Sequence, residues 1–324
     1  ATTNSAKVEE MSRFVVATVL GLASQAAALQ VGFRAPGVTA PRAASVVMQT
    51  QVESLVSANS ALIDELAKIG PDVSELTRLR FAMQFPDPAE AKAAMKENVA
   101  WRAGAGKSIV ESAAKAVAEA TAGGGWDNEP VRLAAPHATA INEFVSPKNI
   151  LTLSTAKGDL VYVIRASGVD DKTMMSKVSV DQVVDFFLYA KEIHSLVANA
   201  RSKQSGRLCN VIFANDITGT RKPPDALFGK ALTASSKSFE KLYPGLAGPT
   251  MILNLPFILQ AFVGLFKPLF PKSVQARLKF TQAPVLSKLG ELTILTTDAG
   301  KRKSFLNEID NLLDDGFYAT KGNM

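Results

Sequence analysis

The 324-residue chain contains one cysteine, Cys209. An intramolecular disulfide is therefore impossible, and a cysteine-rich zinc site is excluded. Cys209 lies in the apolar run LCNVIFA and reads as a small buried hydrophobe. Histidine is almost as scarce. His137 and His194 leave little material for a histidine-based metal site, and His194, beside an apolar stripe, reads as structural.

Catalytic signatures are missing as well. There is no G-x-S-x-G elbow, no G-x-G-x-x-G fingerprint and no H-E-x-x-H helix. GAGKS at 104–108 imitates a phosphate loop, but the position reserved for the first glycine is Trp101. The segment also follows a helical pattern, where a phosphate loop follows a strand. Asp216 ends the strand-like run NVIFAND, a place where α/β enzymes put catalytic groups. It has no evident base, nucleophile or metal beside it, so it reads as the cap of the next turn. The chain is not expected to be an enzyme, and no metal or cofactor is expected.

What is present is globular in composition: 47% hydrophobic and 20% charged. The formal charge of +6 is a mild excess, with RKPP (221–224) and KRK (301–303) the densest basic spots. No finger, RNP-like or basic-helix pattern accompanies it, so nucleic acid is not an expected partner.

No acidic residue occurs from Met11 until Glu53. Within this stretch Arg13 precedes the apolar run Phe14 to Ala23, and Ala26-Ala27-Ala28 offers small residues for cleavage, a secretory pattern. The run is too short to span a bilayer, which needs ~20 residues. VGFRAPGVTAPRAASVVMQTQ then continues basic and acid-free, as transit peptides do. Residues 1–50 are thus expected to be a disordered targeting leader with Met11 as its start. A signal followed by a transit segment resembles the bipartite presequence of complex plastids, which places the protein in a plastid by the secretory route. Plain secretion is the alternative, and the lone cysteine favours the plastid.

Periodicity then divides the chain. Residues 51–123 read as helices. SALIDELAKIG ends at Gly70-Pro71, and Asp87 with Pro88 opens the next helix as N-cap and first residue. Beyond Trp126, NILTLS and DLVYVIR read as a hairpin around TAKGD. Ser179 and Gln182 form a capping box before the apolar stripe Val183, Phe186, Phe187, Ala190, Ile193, His194 and Val197. RLCNVIFAND, TMILNL and ARLKFTQ read as further strands, separated by a helix from Asp225 to Leu242 and by PFILQAFVGLFKPLF. Strands alternating with helices predict parallel crossovers.

Four segments in order resemble the CRAL-TRIO lipid-binding family. They are RLRF (78–81) leading into AEAKAAMKENVAWRAG (89–104), GDLVYVIRASGVD (158–170), NVIFANDITG (210–219) and YPGLAGPTMILNLPFILQAFVGLFKPLF (243–270). The resemblance implies an α/β fold: a helical N-terminal lobe, then a mixed, largely parallel sheet flanked by helices that enclose a hydrophobic cavity under a gate helix. The domains would be 51–123 for the lobe, 124–285 for the lipid-binding domain, and 286–324 for a C-terminal extension without counterpart. It implies one lipid-like or isoprenoid ligand, transient contact with a membrane surface, and a monomer.

The resemblance also names site residues. Phe257, Leu259, Phe262, Val263 and Phe266 would be lid contacts. Tyr162, Ile164, Ile212, Ala214, Met251 and Leu253 would be the floor. Which face of each strand looks inward stays open, because a one-residue slip reverses it. Lys267, Lys272 and Arg277 would meet head groups at the mouth, or simply form a solvated face. Members that exchange phosphatidylinositol hold its phosphate with a basic pair and with a Thr and a Lys on the gate. Here AMQF (82–85), Ala261 and Gly264 occupy those places. A phosphate buried without donors is heavily penalised, so inositol phospholipid is not the expected ligand. The alternative is a scaffold protein whose pocket has degenerated, attached to a membrane complex.

Overall fold

The computed structural model describes residues 49–85, 87–221, 224–256 and 277–314. Seven helices precede the first strand among them: α1 (Gln51–Ala58), α2 (Ser60–Ile69), α3 (Glu75–Gln84), α4 (Pro88–Ala103), α5 (Lys107–Thr121), α6 (Glu129–Leu133) and α7 (Ala138–Ile141). Then come β1 (Ile150–Ser154), β2 (Leu160–Arg165), α8 (Asp171–Lys177), α9 (Val180–Ser205), β3 (Val211–Asp216), α10 (Ala226–Leu242), β4 (Ala247–Leu253) and β5 (Leu278–Thr281). Three helices follow: α11 (Pro284–Ser287), α12 (Ile294–Thr297) and α13 (Ala299–Asp314).

Local signals start and stop these elements as the sequence requires. The Ser74 side chain accepts from the Thr77 N–H at the start of α3, and Asp87 caps α4 with Pro88 at its first residue. Ser179 and Gln182 form the capping box of α9, which ends at Gly206 in the left-handed region, with φ 66°. Asp225 accepts from the N–H groups of Leu227 and Phe228 and opens α10. The GAGKS turn joins two helices, and a Cβ on Gly106 would fall 2.3 Å from the Trp101 ring. The glycine is needed for indole packing, not for phosphate.

The strands lie in the order β1-β2-β3-β4-β5. β1 pairs antiparallel with β2, as a hairpin must, and the remaining pairs are parallel. Every residue of β2 and β3 is buried, so both faces of the sheet are covered.

One face carries Leu160, Tyr162, Ile164, Val211 and Phe213 beneath α9 and α10. The other carries Val161, Val163, Ile212, Ala214, Met251 and Leu253 against Leu286, Leu292, Leu295, Phe305 and Ile309. Residues 286–314, expected as an extension, therefore seal the second face. α2, α3 and α4 close around a small core of their own that includes Ile63, Leu66, Leu79, Phe81 and Met95.

Two arginines dock this lobe on the sheet domain. The buried Arg80 donates to Asn199 Oδ1, Asn210 Oδ1 and the carbonyls of Cys209 and Gly245. Arg102 reaches from α4 to Glu192 on α9 with two bonds of 3.0 and 2.7 Å.

Candidate ligand-binding site

The face beneath α9 and α10 combines aromatic walls with polar atoms that have no partner. Its central cross-strand row runs Tyr162, Phe213, Thr250, Leu278, and the next runs Ile164, Asn215, Ile252, Phe280. Neighbours within a row share a face about 5 Å apart. The Tyr162 and Phe213 rings meet edge to face at 6.2 Å, and Phe239 of α10 adds a third ring 5.8 Å from Phe213.

Lys191 of α9 projects its ammonium into this box. Nζ lies 4.8, 4.4 and 5.1 Å from the centroids of Tyr162, Phe213 and Phe239. The residue is only 2% exposed. Burial pushes the Lys191 pKa down to about 7, with no carboxylate acting against the shift. Glu192, its neighbour in sequence, turns instead to Arg102.

One helical turn on from Lys191, His194 packs against Tyr162 at 4.8 Å. Its Nε2 shares a 2.9 Å hydrogen bond with Thr152 Oγ1, while its buried Nδ1 has no partner. Burial, and secondarily the Lys191 charge, push its pKa down to about 3, so it is neutral. Thr250 Oγ1 and Asn215 Oδ1 are likewise buried and without a hydrogen-bond partner. An unsatisfied buried polar atom costs about 1–3 kcal/mol, and such atoms are rare in folded proteins. Here Thr250 and Asn215 stand in adjacent cross-strand rows of one sheet face, and His194 is on the helix that carries Lys191, whose ammonium has no counter-ion among the described residues.

The expected floor divides. Tyr162 and Ile164 are on this face, but Ile212, Ala214, Met251 and Leu253 are on the opposite one, packed under α11, α12 and α13. The register is the reason. Tyr162 pairs with Phe213, and Ala214 pairs with Met251, so the expected set spans both sides of the pleat. Arg277, expected at the mouth, is buried. It is 6% exposed, with its pKa lowered to about 10 by burial against the opposing effect of Glu240. Phe257, Leu259, Phe262, Val263, Phe266, Lys267 and Lys272 lie outside the described residues.

Sequence reading missed Lys191, Thr250 and Asn215. A usable signal existed for Lys191: Phe187, Lys191, His194 and Ala198 follow helical spacing on a stripe whose other members are buried. Asp216 is fully engaged. It accepts from Arg165 Nε at 2.7 Å, from the Thr218 N–H and hydroxyl, and from Asn254 Nδ2. That is a structural junction, not a poised base. Among the described residues no group of His, Cys, Asp and Glu could hold a metal, and no helix is long and apolar enough to cross a membrane.

Residues 146–295 match the family model described as CRAL/TRIO domain. The match supports the CRAL-TRIO resemblance over this stretch and implies binding of a small lipophilic ligand; such proteins are generally ligand-binding or transfer proteins rather than enzymes. No curated protein matches the chain.

Proposed function

We propose that the protein binds one lipid or isoprenoid on the α9/α10 side of the sheet and carries or presents it between membranes. The observation that carries this reading is the placement of Lys191 and His194 of α9 over the buried, aromatic-walled sheet face that bears Asn215 and Thr250, with His194 Nδ1, Asn215 Oδ1 and Thr250 Oγ1 left without hydrogen-bond partners. The match of residues 146–295 supports the lipophilic class. The mechanism is solvation. Exposing an acyl chain to water costs ~0.8 kcal/mol per CH₂, and apolar walls remove that cost during transit.

The apolar segment from Phe257 to Phe266 is the proposed gate, with Lys267 and Lys272 meeting anionic head groups. Inositol phospholipid is not the proposed ligand, because AMQF, Ala261 and Gly264 stand where its phosphate would need donors. The acid-free leader supports a plastid location by the secretory route.

A second reading is a scaffold with a filled pocket. Its support is the close interlocking of Tyr162, Phe213 and Phe239 beneath α9.

Organic extraction and mass spectrometry of the natively purified protein decide between them. A stoichiometric lipophile supports the ligand-binding reading, and an empty protein that neither binds nor transfers lipid supports the scaffold. Vesicle assays test the gate: Phe262→Asp and Phe266→Asp should reduce docking and lipid extraction while leaving the circular dichroism spectrum intact. Unchanged transfer would remove the gate assignment.

A further inference from the structure

The lipophilic reading leaves the head group of the ligand open, and the buried lysine narrows it. Lys191 is enclosed on three sides by Tyr162, Phe213 and Phe239. Aromatic faces repay only part of what desolvating an ammonium costs. An acid would normally stand opposite. Among the described residues Lys191 meets the rings of Tyr162, Phe213 and Phe239 and acts on His194, and no carboxylate offsets the burial of its charge; Thr250 stands beside Phe213.

The adjoining polar atoms fit an anion with two oxygens. Thr250 is the cross-strand partner of Phe213, the ring beneath the ammonium, and its buried hydroxyl has no partner. A charged donor over the Phe213 ring and a hydroxyl donor on its cross-strand neighbour match the two oxygens of a carboxylate. A phosphate has more oxygens and more charge than these donors satisfy in a dry site. An alcohol leaves the ammonium without a counter-charge. Apolar Ile252 and Leu278, both buried, continue the same face past Thr250 and Asn215.

We propose that Lys191 is the counter-ion of a carboxylate, and that the ligand is an acyl-chain amphiphile ending in a free acid held between the Lys191 ammonium and the Thr250 hydroxyl. This rests on the lipid-binding reading above. No bond is made or broken. The anion is held by charge and hydrogen bonding, and the chain lies along the apolar face.

The test uses the full chain with a neutral fluorescent probe, Nile red, displaced by oleate, oleyl alcohol or methyl oleate at neutral pH. Oleate should displace at about tenfold or more lower concentration than the other two, as expected for a hydrogen bond to a charged group. Lys191→Met, close in length and apolar, should bring oleate to parity while leaving the alcohol and ester within about twofold. Carboxyl-labelled oleate bound to the wild type should stay ionised to a lower pH than in Lys191→Met, which a purely structural lysine would not cause. Equal displacement by all three compounds, or an unchanged oleate preference in Lys191→Met, overturns the carboxylate assignment and leaves lipid binding standing. Failure of all three to displace or bind overturns both.

Discussion

The Lys191 ammonium lies 4.4 Å from the centroid of the Phe213 ring, inside the protein and with no carboxylate among the described residues to balance it. The ring is a partial substitute for water, worth on the order of 2 kcal/mol against a desolvation cost of several. The ligand-free protein therefore contains a destabilising charge at the centre of its candidate site.

Lys191→Met should stabilise the ligand-free protein, by on the order of 1–4 kcal/mol near neutral pH. The pH dependence has a definite sign. A lysine near 7 when folded and 10.5 when unfolded is charged in both states below pH 7, so its penalty is fully present there. Between about pH 7 and 10 the unfolded state binds more protons, and stability rises with pH. Urea midpoints should rise from pH 7 to 9 in the wild type relative to Lys191→Met. Parallel profiles would mean that the ammonium is solvated.

His194 should remain neutral down to at least pH 5, since its pKa is pushed to about 3. Nitrogen chemical shifts would show one protonated ring nitrogen across that range. Because the Lys191 charge contributes to the depression, Lys191→Met should raise the His194 pKa. The native state binds fewer protons here as well, so the His194 contribution weakens as pH falls below 6.5.

Arg102 and Glu192 form a two-bond pair in which the Glu192 side chain is 2% exposed. Arg102→Met should cost about 3–5 kcal/mol, because it leaves a buried carboxylate unpaired. Adding Glu192→Leu should recover much of that loss. A denaturant double-mutant cycle measures the coupling.

Gly245 has φ 66°, and a Cβ there would meet the Arg80 carbonyl at 3.2 Å and its Cβ at 3.3 Å. Gly245→Ala should therefore combine backbone strain with a wedge at the lobe interface. A loss of roughly 1–3 kcal/mol is expected, together with faster amide exchange in α3, read by hydrogen-exchange mass spectrometry.

A chain ending at residue 297 would lack Phe305, Ile309 and Leu313, which cover Ile212, Ala214 and Met251. It should bind anilinonaphthalene sulfonate and aggregate. A soluble, cooperatively unfolding truncate would show that α13 is dispensable.

Much of the fold was legible because local chemistry specifies it. The capping box of Ser179 and Gln182, the Asp87-Pro88 start of α4 and the apolar run before Asp216 each mark an element by short-range physics. The floor was not legible as a set. Ile212 and Tyr162 look alike as apolar strand residues, and only the pairing of Tyr162 with Phe213 puts Ile212 on the other side. Nor did Arg277, a basic residue beside a lysine-rich segment, advertise its burial.

By itself the sequence determined the class of elements, their order, the parallel crossovers, the impossibility of an intramolecular disulfide and the resemblance to a lipid-binding family. These follow from residue spacing and side-chain type, which act over a few positions. Tertiary structure alone decided which strand face lies under α9, that residues 286–314 seal the other, and that Lys191 sits among three rings with no counter-ion among the described residues. Those depend on strand register and helix docking, where a shift of one residue reverses a face and a charge is solvated or buried according to what packs above it.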